Sequence, residues 1–484
     1  MRKHVTAFIA CSFLLLPGRG EAVNDIELPL LGDTSSAMVS PRQEQELGRE
    51  LVKLYRSQAK TSSDYQLIQY LEELLFERLA PHSELRNPEQ LSLVLVENPN
   101  INAFAAPGGV IGVHTGLIHH AQNEHQLASV LAHELAHLSQ RHYARRLQQQ
   151  KDMSIPLYAA MLGSIILAAA GGGDMGIAAM MSTQAAALEA QLRFSRQFEQ
   201  EADRLGLRTM VNAGFDPRAA SDMFEQMLRA SRYSQRPPEF LLTHPVTQKR
   251  ISDTRSRTLS MVEGEFEDNI VYHLMRARVQ LTRAESPQLA IQRFQDQLRT
   301  DVQPSEASQY GLALAQMQAG QFDAARTSLD PLLKHYPEQI HYQLLAANID
   351  TGAGEHDRAL SRLSSLIQDY PQQYSVVMNY GIALMKAERF EESATVFDRY
   401  SRRRREDPEV WYWLAEVNGL AGNILGVHEA RAEYFIHTGS YNQAMRHIHH
   451  ALKEVEKNDP GHRRIVLRER LKQVEEMQRK RALL

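Results

Sequence analysis

Leu131-Ala132-His133-Glu134-Leu135-Ala136-His137-Leu138 is the stretch on which the reading of this chain turns. Residues four apart on a helix lie one above the other, so His133 and His137 can present two imidazoles to one metal ion. Glu134 sits about 100° round from His133, placed to reach a water on that ion but not to join as a ligand, which suits a general base. Asn123, with Gln126 three residues on, marks the helix start. Leu127, Val130, Leu131, Leu135 and Leu138 form its apolar stripe. The stretch supplies half a metal site beside a buried surface, and the next ligand must come from elsewhere.

Helical character from Gln184 to Val211, ended by Gly214, contains Ser195-Arg196-Gln197-Phe198-Glu199-Gln200-Glu201-Ala202-Asp203. Glu199 and Glu201 compete for the third ligand. Asp203 lies four residues after Glu199, on its face, where an aspartate can hold a ligand histidine in the right tautomer; Glu201 has Leu205 at the equivalent place. The expectation is Glu199 as ligand and Asp203 behind the ligands. Two histidines, a glutamate and an open position for water are the arrangement of a catalytic zinc, one ion per chain. His244 precedes Pro245, which places it in an extended or turn segment. There it can swing onto the zinc as a fourth ligand and displace the water, donate to the oxyanion of a tetrahedral intermediate, or remain a loop histidine.

Upstream, Ser40 with Gln43 caps a helix bearing Leu47, Leu51 and Leu54, and a second helix follows Asp64 through Leu79. Leu91 to Val96 reads as a strand, and Asn102 to Ala105 and Val110 to His114 as two more about Pro107-Gly108-Gly109. A strand shortly before a metal helix can hold a peptide as an added strand, or can be an ordinary sheet edge. Ile155 to Ala170 is almost wholly apolar, followed by Gly171-Gly172-Gly173 and a second small-residue run to Met181. It falls short of the ~20 residues a bilayer needs, so residues 155–181 read as a helical hairpin over the site or against a membrane surface rather than a span.

Arg2, Lys3 and His4, an apolar run from Val5 to Leu16 and Gly20-Glu21-Ala22 read as a signal peptide cut after Ala22, with a leader over 23–40. Cys11, the only cysteine, lies within it, so the mature chain has no thiol, as suits a bacterial periplasm. A formal charge of −4 gives no global case for nucleic acid.

From about 268 a period appears. Gly320, Phe322, Ala325, Leu329 and Pro337 recur 34 residues later as Gly354, His356, Ala359, Leu363 and Pro371, and a third copy runs through Phe390, Ala394 and Phe397 to Pro408, stretched by Arg402–Arg405. This is the tetratricopeptide period of stacked helix pairs, a curved solenoid whose concave face binds proteins. The four arginines could meet an acidic partner, but read first as a solvated loop.

His133-Glu134-Leu135-Ala136-His137, the Asn102-Ala103-Phe104 strand, Ser195-Arg196…Glu199…Ala202-Asp203 and Thr243-His244-Pro245 together resemble the gluzincin metallopeptidases of the HtpX and CAAX-prenyl-protease family over residues 41–260. The fold class expected is mainly α with a small β-sheet: a zinc metallopeptidase domain over 41–265, then a repeat solenoid over 266–484. The resemblance, with an export signal before and repeats after, implies a periplasmic protease of unfolded or stalled outer-membrane β-barrel proteins that also aids their assembly, with repeats contacting the barrel-assembly machinery. In exported members with repeats, a histidine placed like His244 looks like a latch. A non-proteolytic chaperone or scaffold, and a protease anchored by residues 155–181, stay open as alternatives.

Overall fold

Capping residues start the first helices where the sequence reading places them. In the computed structural model, which describes residues 40–149, 195–232, 239–259, 261, 264–300, 305–458 and 461–481, the side chains of Ser40 and Gln43 close a reciprocal box on α1 (Pro41–Gln58). The expected signal peptide, residues 23–39 of the leader, the 155–181 run and the start of the Gln184 helix lie outside the described residues. Asp64 accepts from the backbone N–H groups of Gln66 and Leu67 and starts α2 (Tyr65–Glu72). The single helix expected through Leu79 instead widens into π turns over Glu73–Leu79, which end where Arg78 reaches Glu124 at 2.7 and 2.9 Å.

Three strands follow: β1 (Ser92–Val96), β2 (Ala103–Ala106) and β3 (Val110–His114), in the order β1-β3-β2. β3 pairs parallel to β1 and antiparallel to β2, with Ala103 opposite Val113. Gly108 and Gly109, at φ 77° and 79°, make the tight turn between β2 and β3, a conformation side chains with a Cβ resist. β3 is buried along its whole length, and β2 is left as an edge.

The first half of the chain continues through α3 (Thr115–His120), α4 (Glu124–Ser139), α5 (142–149), α6 (195–212), α7 (Arg218–Arg232), α8 (Glu239–Thr243) and α9 (Gln248–Thr258). α4, the helix of the opening motif, is buried at every residue from Glu124 to Ala136, more than an apolar stripe requires. Gly206 explains the closeness of α6: a Cβ there would stand 3.1 Å from the backbone nitrogen of His133.

Among the described residues six helix pairs form the repeat half: α10 (Ile270–Thr282) with α11 (Pro287–Thr300), α12 (Ser305–Gln318) with α13 (Phe322–His335), α14 (Ile340–Gly352) with α15 (His356–Asp369), α16 (Tyr374–Lys386) with α17 (Phe390–Ser401), α18 (Pro408–Leu420) with α19 (Ile424–His437), and α20 (Tyr441–Asn458) with α21 (His462–Arg481). Pro337 and Pro371 follow second helices, as expected; Pro408 instead opens α18 behind the Asp407 cap, because Arg402–Arg405 lengthen the connection.

One apolar core runs from Leu67 of α2 through α4 into Tyr310 and Leu345 of the repeats. The Tyr272 hydroxyl of α10 contacts the carbonyl oxygens of Ile118 and Ala121, at 2.9 and 2.7 Å. α2 and its cap meet the first helices α10, α14 and α16 and the connection before α18. Asp64 meets Arg278 at 2.7 Å, Gln66 meets His341 at 2.8 Å, Gln69 accepts from the Ser375 backbone at 2.9 Å, and Glu72 takes both arms of Arg404 at 2.7 and 2.9 Å. Arg404 is therefore no solvated loop residue: it also lies 4.1 Å over the Tyr374 ring. Among the described residues, no helix is long and apolar enough to cross a membrane.

Candidate metal centre

α4 presents His133 and His137 from one face, with their Nε2 atoms 3.0 Å apart. α6, held close by Gly206, brings Glu199 to 3.4 Å from His133 and 3.5 Å from His137. His244, in the bend after α8, points Nδ1 to 3.4 Å from His133 Nε2 and 3.1 Å from both Glu199 oxygens. The four residues are buried or nearly so, and one ligand atom from each lies within 4.8 Å of all the others. Bonds of 2.0–2.1 Å to a tetrahedral zinc put ligand atoms roughly 3.3 Å apart, so this donor set fits such an ion. His244, expected to be a fourth ligand, an oxyanion donor or a loop histidine, is the fourth member of this group.

Glu134 is 1% exposed, with the Ala105 backbone beside its carboxylate. Its nearest ring is His244, whose Nε2 is 3.5 Å away. Burial pushes the Glu134 carboxyl above its ordinary range. A buried carboxylate of that kind, beside a ligand cluster, is placed to take a proton rather than to hold an ion pair.

Asp203 lies 3.1 Å from His133 Nδ1, on the side of the ring away from Glu199 and His137. Arg250 grips the same carboxylate at 2.6 and 2.8 Å, reaches Glu199 at 3.1 Å and donates to the Pro245 carbonyl at 2.9 Å. Burial lowers the His133 imidazole, but Asp203 and Glu199 outweigh it and raise it to about 9. Burial favours a neutral Glu199, yet His133 and His244 hold its carboxyl well below the usual range. Burial and the neighbouring His133 push His137 well down, which leaves a lone pair available for a metal.

Comparisons with known proteins agree with this geometry. The pattern of peptidase family M48 matches residues 68–258, and the tetratricopeptide repeat pattern matches 281–349 and 351–417. A Vibrio cholerae relative is 36% identical over 441 residues, spanning 90% of each chain. The chain belongs to the M48 peptidase family. The β-barrel assembly-enhancing protease of Escherichia coli K12 is 32% identical over 429 residues, 88% of this chain and 87% of that one. The mitochondrial metalloendopeptidase OMA1 of Arabidopsis thaliana is 28% identical over 261 residues, 54% of this chain and 46% of its own.

In this M48 peptidase two further residues that sequence reasoning missed stand against the cluster. Arg250 had no signal, since only packing of α9 against α6 brings it to Asp203. His142 had one: a third histidine five residues past His137. It is 3% exposed, its Nδ1 lies 2.8 Å from His137 Nδ1, and its Nε2 lies 3.2 Å from Glu201. Glu201, which lost the competition for the metal, thus still connects to the site.

Proposed function

We propose that this metalloendopeptidase uses zinc, works in the bacterial periplasm and cleaves unfolded or stalled outer-membrane β-barrel proteins, with its repeats contacting substrate or the barrel-assembly machinery. The observation that carries the chemistry is the convergence of His133, His137, Glu199 and His244 on one point with Glu134 beside it. The names of the relatives and the protein-binding character of helical repeats support the substrate class.

His133, His137 and Glu199 would hold a zinc ion, which would supply Lewis acidity toward a water and a peptide carbonyl. Glu134 accepts the proton from the attacking water and passes it to the leaving amine. Asp203, steadied by Arg250, keeps the His133 proton on Nδ1 and its other nitrogen free for the ion. β2, an edge strand packed beside α4, can hold an extended substrate through backbone hydrogen bonds that do not depend on sequence. His244 would serve as a latch, standing against His133 and Glu199 until its side chain moves away. Glu134→Gln should retain the metal and lose about 10²–10⁴-fold in cleavage of an unfolded protein. Full activity in that variant overturns the assignment.

A further inference from the structure

We propose that His142 is a positioning residue of the metal centre, relaying the support of Glu201 to the ligand His137. Each ligand histidine is then held from behind by a carboxylate, His133 directly by Asp203 and His137 through a second imidazole. The inference rests on the metal-site reading and adds to it the second half of the ligand support.

The argument is one of proton counting. Two ring nitrogens 2.8 Å apart share one proton; two protons there would repel, and so would two lone pairs. His137 Nε2 faces Glu199 and His133, so its lone pair belongs to the metal and its proton sits on Nδ1. His142 Nδ1 must therefore accept, which puts the His142 proton on Nε2, facing Glu201 at 3.2 Å. Arg145 holds that carboxylate at 3.0 Å. A single placement of protons satisfies the whole chain from Arg145 to the metal, so the tautomer of His137 is fixed.

The backbone is arranged for this contact. Arg141, between α4 and α5, takes φ of 49°, a left-handed conformation that residues with a Cβ seldom adopt. The turn it makes directs His142 back onto His137. The His142 ring stacks on Phe198, with centroids 4.2 Å apart and planes at 17°, and Phe198 immediately precedes the ligand Glu199. Arg145 covers Phe198 at 4.7 Å.

The test uses the full chain loaded with Co(II), reading its visible absorption and the rate at which a chelator strips the ion. His142→Phe keeps a ring against Phe198 and removes the acceptor; His142→Asn gives up the ring and can restore an acceptor near the position of Nδ1. Positioning predicts that His142→Phe releases metal about 10–100 times faster with a shifted spectrum, and that His142→Asn lies nearer the unaltered protein. A merely packing role predicts the reverse order. Glu201→Ala, at the partly exposed end, should speed release in the same direction and decides the matter if a His142 variant does not fold. Unchanged release and spectrum in folded His142→Phe or Glu201→Ala overturn the proposal. Failure of the unaltered chain to bind cobalt would instead overturn the metal site itself.

Discussion

His244 Nδ1 lies 3.1 Å from both Glu199 oxygens and 3.4 Å from His133 Nε2, and its ring is stacked against Phe240 with centroids 4.6 Å apart. Its backbone N–H donates to the Phe240 carbonyl at 2.7 Å, so the residue hangs from the last turn of a five-residue helix. The latch reading predicts that His244→Ala, with its metal retained, cleaves an unfolded protein severalfold faster than the unaltered chain in a basal assay. A lower rate would favour the oxyanion role, and an unchanged one a bystander. At this scale the sequence was legible wherever spacing alone fixes geometry, as for His133, Glu134 and His137 on one helix. Glu199 and Asp203 could be paired because they share a helical face. The contacts of Arg250 with Asp203 and of Glu201 with His142 were not legible, because they depend on how α9 and the left-handed Arg141 turn place side chains from separate segments.

Elements repeat as faithfully as the residues that end them. After the first helix of four successive pairs, a left-handed residue recurs at 34-residue spacing: Gly320, Gly354, Glu388 and Gly422, with φ of 74°, 81°, 61° and 73°. The N–H of each and of the next residue closes the helix end, as when Glu388 donates to Met385 and Arg389 to Leu384 at 3.1 and 2.9 Å. Glu388 alone of the four carries a Cβ there. A left-handed residue with a Cβ costs about 1–2 kcal/mol, and glycine gives back about 0.5–1 through unfolded-chain entropy, so Glu388→Gly should stabilise by about 0.5–1 kcal/mol. Thermal unfolding of the full chain should show a midpoint raised by about 1–4 °C, and a lowered midpoint contradicts this account of the helix end. The period was readable from such glycines and from the prolines. The widening of the α2 continuation was not, since Leu74, Leu75 and Leu79 suit either kind of helix and all are fully buried.

Across the whole molecule, the peptidase and the repeats share a core, and α2 is the element both use. Its Leu67, Tyr70 and Leu71 face the shared core while Asp64, Gln66, Gln69 and Glu72 engage repeat helices. Part of the surface expected to receive partners is thus already taken by the chain itself, which no repeat pattern could reveal. The Arg404–Glu72 pair is partly buried and two-armed, so a double-mutant cycle between Arg404→Ala and Glu72→Ala should give a coupling of about 1–2 kcal/mol in urea unfolding. Independent effects of the two changes would mean that the pair does not hold the halves together. From α2 the π turns lead through Arg78 to Glu124, the first residue of the metal helix, so the repeat array is tied to the start of the element that carries the ligands.

Zinc content of the full chain after exhaustive dialysis, measured by mass spectrometry for the unaltered protein and for His133→Ala with matching helical content, addresses the centre itself. One ion per chain in the first and almost none in the second is the predicted result. Stoichiometric zinc in His133→Ala, or its absence from the unaltered protein, would contradict a metal held between α4, α6 and the bend after α8.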